Sequence, residues 1–127
     1  MNSKFLMIAS AIVTGLLGVT ASFFPTEMLN RIGISPTVTL TLFAQITGAL
    51  YFGFAIMNWM AKTVLIGGIY ARPLAMGNFA HFMIAGIALV KAAMNNSLSQ
   101  YLWILAVIYF IFAVLFGIVL FTNPAKK

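Results

Sequence analysis

Very few side chains in this sequence can do chemistry. There is a single histidine, His81, a single acid, Glu27, seven Lys and Arg, and no cysteine. An imidazole can serve as a general base, a proton relay or a metal ligand. One histidine and one carboxylate beside Pro25 make neither an acid–base pair with a positioned nucleophile nor a three- or four-ligand metal set. The lack of cysteine removes thiolate catalysis, disulfides, iron–sulfur ligation and cysteine-based zinc sites. The expectation is a protein that is not an enzyme, with no catalytic residue, no metal and no cofactor. Haem could be held through His81 only in an oligomer that supplies a second imidazole.

What remains is a set of polar side chains inside apolar runs: Tyr51, Asn58, Asn78, His81 and Tyr109. At ~1.5 Å of rise per residue, His81 lies roughly 12 Å beyond Pro73, and Thr14, Tyr51 and Tyr109 come out at similar mid-bilayer depth. Asn58 and Asn78 fall nearer the cytoplasmic face, roughly 5 to 8 Å in by the same count. Ionisable and polar groups in hydrocarbon are functional candidates, so these five are the candidate ligand-binding residues. The competing reading is structural. A neutral imidazole bonded to a phenol or an amide is interhelical glue, worth about 0.6 to 2 kcal/mol per contact, and an Asn58–Asn78 pair would satisfy itself. Gln45 is read as structural on the same grounds, and the eight methionines as packing.

Composition indicates the elements that hold these residues. The chain of 127 residues is 63% hydrophobic and 6% charged, against roughly 25% charged in soluble domains, so most of its surface suits lipid. The net charge of +6 would suggest nucleic acid if the bases formed a patch. They sit singly between apolar runs, as cations that anchor helix ends to anionic headgroups do, and no nucleic-acid partner is expected.

The fold class expected is all-α: a polytopic membrane protein, a four-transmembrane-helix bundle with a short interfacial helix after helix one, in a single membrane domain. Spans are expected at about 5–24, 36–62, 73–94 and 100–122, with an interfacial segment at 25–35. The first run also fits a secretory signal with Val19-Thr20-Ala21 as its cleavage site, but its length suits a retained span. Pro25 ends it. Glu27 and Arg31 then stand at i,i+4 on a short turn of helix whose Met28, Leu29 and Ile32 dip toward acyl chains, and Gly33 stops that turn. Ser35-Pro36 is expected to cap the second span. Residues 64–70 form an apolar linker along the membrane surface, 95–100 a polar connection, and Asn123-Pro124 the end of the last span.

In lipid, small and polar residues mark the helix faces that meet. The first span offers Ala11, Thr14, Gly18 and Ala21. The second places Thr41, Ala44, Gln45, Gly48, Tyr51, Phe52, Ala55, Asn58 and Trp59 on one stripe. The third offers Gly77, Asn78, His81, Ala85, Ala88 and Ala92. The fourth has Ala106, Tyr109, Ala113 and Gly117 on a cylinder so aromatic and aliphatic that it reads as a lipid-facing wall. Packed through these stripes, Asn58 and Asn78 face each other with His81 one turn deeper.

The run Gly48-Ala49-Leu50-Tyr51-Phe52-Gly53, ending in Asn58-Trp59-Met60-Ala61-Lys62, then Gly67-Gly68-Ile69-Tyr70-Ala71-Arg72-Pro73 and Gly77-Asn78, resembles small uncharacterised four-helix bacterial membrane proteins. The resemblance covers about the middle third of the chain and implies membership without an activity. Size and helix count are also similar to the small multidrug resistance transporters. Those depend on a membrane-embedded Glu in the first helix, where this sequence has none, so the likeness does not imply proton-coupled export.

The leading expectation is a non-enzymatic, oligomer-forming or accessory subunit that binds a lipid or small apolar ligand within the bundle. Its partners would be membrane lipids and either further copies of itself or a membrane complex. The alternatives are a small transporter with a polar path past His81 and an intramembrane lipid-modifying enzyme using His81 as base. Orientation follows from the cations flanking the spans. With the N-terminus inside, Lys4, Lys62, Arg72, Lys126 and Lys127 are cytoplasmic and only Arg31 and Lys91 lie outside, so both termini are expected in the cytoplasm and the protein in the inner (plasma) membrane.

Overall fold

A computed structural model describes residues 3–63, 72–95 and 100–121, in which every long element is an α-helix and no strand occurs. The helices are α1 (Ser3–Phe23), α2 (Pro25–Arg31), α3 (Val38–Met60, continued by a 3-10 turn at Ala61–Thr63), α4 (Arg72–Asn95) and α5 (Gln100–Phe121). Expectations for 64–70, for most of 95–100 and for Asn123-Pro124 lie outside the described residues. Four of the helices, α1, α3, α4 and α5, are long and apolar enough to cross a membrane. They have 21, 23, 24 and 22 residues, or about 32 to 36 Å at ~1.5 Å each, against a hydrocarbon thickness of ~30 Å. The protein is an all-α, multi-pass membrane protein.

Local chemistry sets the break between α1 and α3. Pro25 opens α2 at a position where its missing N–H costs nothing, and Glu27 and Arg31 sit in the first and last turns, where they complement the helix dipole. Gly33, at φ 84°, ends α2 in a Schellman motif: its N–H donates to Asn30 O (3.1 Å) and the Ile34 N–H donates to Leu29 O (2.9 Å). The N-cap of α3 is Thr37 rather than Ser35. Its extended backbone (φ −127°, ψ 165°) lets the hydroxyl accept from the Leu40 N–H at 3.1 Å, so Pro36 precedes the cap instead of following it.

By internal contacts the chain divides into two units, one holding α1 from Met7, α2 and α3 as far as Lys62, the other holding α4 and α5. In the first unit α1 and α3 run antiparallel and meet through glycine. A β-carbon on Gly18 would stand 2.8 Å from Phe52 N and 2.9 Å from Gly48 O, and one on Gly48 would stand 2.7 Å from Ser22 N and 2.8 Å from Gly18 O. The two backbones therefore touch, an approach open only to glycine and suited to Cα–H···O contacts. Ala11, Thr14, Gly18 and Ala21 are all buried, as their spacing predicts.

The α3 stripe is narrower than expected. Ala44, Gly48, Ala55 and Asn58 are buried and Tyr51 is half-buried, but Gln45, Phe52 and Trp59 are exposed. Helices in backbone contact cover only a thin strip of each other, which leaves the flanks of the stripe outside. Trp59 instead turns toward Lys62, whose ammonium lies 3.5 Å from the ring centroid.

In the second unit α4 and α5 form an antiparallel pair whose core is aromatic. Phe82 is enclosed by Phe112 (centroids 4.9 Å apart, stacked), Phe116 (5.8 Å, stacked) and Tyr109 (5.0 Å, edge to face). This overturns the reading of the last span as a lipid-facing wall, because α5 is the most buried of the four long helices. The buried face of α4 is Ala75, Asn78, Phe82, Gly86 and Ala93, which shares only Asn78 with the expected stripe; of the rest, Ala88 is exposed and Gly77, His81, Ala85 and Ala92 are only half-buried. Small residues on α4 leave room that the α5 rings fill, so the helix is turned about one residue from the alanine stripe.

Candidate functional site

Two polar centres form inside these units. In the first, Ser10, Thr14 and Asn58 are fully buried. Asn58 Nδ2 donates to Ser10 Oγ at 3.0 Å, while Ser10 Oγ donates to Met7 O at 3.0 Å and Thr14 Oγ1 donates to Ser10 O at 2.7 Å. Each hydroxyl bonds back to its own helix, and the spare lone pair of Ser10 receives the amide from α3. A serine becomes a nucleophile when a base takes its proton. Here the proton goes to a backbone carbonyl and the other contact is an amide N–H, so the arrangement fastens helices and does not activate oxygen.

The second centre lies on α4 and α5. Asn78 is fully buried and donates through Nδ2 to Leu74 O, one turn back, at 3.0 Å. His81 is half-buried, with its ring 4.9 Å from Phe82, edge on, and 5.5 Å from Tyr109, tilted. The His81 Nε2 and Tyr109 hydroxyl atoms are both buried. Of the five candidate residues, the structure therefore brings His81 and Tyr109 together, with Asn78 one turn away on the same helix, and it sets Tyr51 and Asn58 in the other unit. Asn58, Asn78 and the ring nitrogen of His81 all point inward, where a polar group avoids hydrocarbon.

Ser10 is the participant that sequence reasoning missed. The signal was present: Ser10, Thr14, Gly18 and Ser22 recur at every fourth residue on α1, a small-residue ridge of the kind that meets another helix. Among the described residues no three His, Cys, Asp or Glu gather in a way that could hold a metal ion. The groove between α4 and α5, about 440 Å³, is lined by apolar side chains that include Val90, Trp103, Phe110 and Val114. Comparison with known protein families, with curated proteins and with solved structures brings no match.

Proposed function

We propose that this chain is a non-enzymatic subunit of the inner (plasma) membrane, one that forms an oligomer or serves as an accessory part of a membrane complex. We group it with the small four-helix bacterial membrane proteins that its middle third resembles. The observation that carries the reading is how polar side chains are used. Those inside the α1–α3 unit lock helices together, while Gln45 on α3 is exposed, and its side chain has no hydrogen-bond partner among the described residues. An amide facing hydrocarbon is stabilised by another protein surface.

Native mass spectrometry of protein extracted gently from its membrane is the test. The expected result is a particle heavier than one chain, and a bare monomer with no companion protein rejects the proposal. The lipid or small apolar ligand stays part of this reading, with His81 and Tyr109 as its contacts on α4 and α5. Retained lipid mass that falls in His81→Leu is expected, and spectra free of adducts reject that part alone.

A further inference from the structure

We propose that the partner of α3 is a second copy of this chain, docked on the ridge Thr41, Gln45, Ala49 and Gly53 with the two Gln45 amides bonded to each other. The inference rests on the oligomer-forming reading above and adds the identity of the partner and the face that meets it.

Gln45 stands two turns beyond the Thr37 cap, roughly 12 Å along the helix axis, which puts it within the hydrocarbon of a span this long. Its side chain is exposed and makes no hydrogen bond within the described chain. The cost of a bare amide at that depth is removed only by a donor and an acceptor from elsewhere.

The ridge around it admits a helix. Ala49 and Gly53 are exposed, Thr41 is half-buried, and the four residues recur at every fourth position, the spacing along which helices interdigitate in lipid. A β-carbon on Gly53 would meet nothing within 4 Å, in contrast to Gly48, whose open side is already taken by α1. At the outer end of the ridge a shallow groove of about 430 Å³, lined by Pro36, Thr37, Val38, Thr41, Leu42 and Gln45, gives room for the side chains of a neighbour.

The choice of a second copy over an unrelated chain comes from the amide itself. A primary amide carries a donor and an acceptor side by side, so two of them related by a two-fold axis satisfy one another reciprocally, as an isologous interface requires. The ridge carries no charge of either sign, so identical copies meet without repulsion.

The chain has no native cysteine, so a single introduced thiol reports its own neighbourhood. In native membrane vesicles, oxidative cross-linking of Ala49→Cys and Gly53→Cys should give disulfide dimers, while Val107→Cys, exposed on α5, should give far fewer. Adding Gln45→Leu to Ala49→Cys should lower dimer yield about 3- to 15-fold, the range for an interhelical hydrogen bond in a bilayer, and Gln45→Asn should restore part of it. Gln45 is exposed, so neither change touches the packing within the chain. If native mass spectrometry finds several copies while Ala49→Cys does not cross-link, this interface is overturned and the oligomer-forming function stands. A different protein trapped at Ala49→Cys also overturns self-docking. A lone monomer throughout overturns both.

Discussion

The hydrogen bond from Asn58 to Ser10 joins side chains 48 residues apart, and it is buried at both ends. Replacing Ser10 by Ala takes the acceptor from a buried amide, which costs more than the bond itself is worth. A double-mutant cycle with Ser10→Ala and Asn58→Leu, followed by unfolding in mixed micelles, should give a coupling of about 0.6 kcal/mol and at most ~1.7 kcal/mol. Strictly additive effects would show that the two side chains do not act as a pair. The sequence made Asn58 legible, because an amide in an apolar helix stands out. The partner was marked only by its place on the ridge Ser10, Thr14, Gly18 and Ser22, which points to a helix contact without naming the bond, since a serine that bonds back to its own helix looks the same whether or not a second helix uses its lone pair.

The elements differ in how openly their sequence declares a face. On α1 the residues Ala11, Thr14, Gly18 and Ala21 follow three- and four-residue steps along one face, so they could be read directly although other small residues flank them. On α4 alanines and glycines occur all round, and the face was set instead by Phe82, whose ring fills the space against Phe112 and Phe116. Hydropathy rates a phenylalanine in the core and one in lipid alike, and for that reason the burial of α5 was not legible either. The glycines allow a test at this scale. Gly18→Ala and Gly48→Ala each place a β-carbon within 3 Å of opposing backbone and should destabilise the α1–α3 unit by about 1 to 3 kcal/mol in unfolding measurements. Gly15→Ala meets only Ala55 Cβ at 3.5 Å, and Gly77→Ala meets nothing within 4 Å, so both should leave stability nearly unchanged. Equal effects at all four positions would refute close approach of the backbones.

For the whole molecule, the four long apolar helices were legible to within a few residues because length and apolarity alone define them. Orientation rests on the distribution of cations and makes its own prediction. Thr26 on α2 and Thr63 after α3 are both exposed, at opposite ends of that span. With an impermeant thiol reagent on intact cells, Thr26→Cys should label and Thr63→Cys should label only after the membrane is opened. The reverse pattern would place both termini outside and defeat the positive-inside reading.

The cap at Thr37 and the Lys62–Trp59 contact bracket α3 at its two ends. An indole with an ammonium over its face settles at headgroup level, and a polar cap does the same on the far side, about 33 Å away along the axis between Thr37 and Trp59. The helix thus carries its own preferred bilayer thickness. Thinner membranes are met by tilt and thicker ones by local compression of the lipid, at a fraction of a kcal/mol per ångström of mismatch. Acyl-chain length in the host membrane therefore acts on the angle at which the Gln45 ridge is presented, and lipid composition becomes a control on which surfaces of this protein can meet.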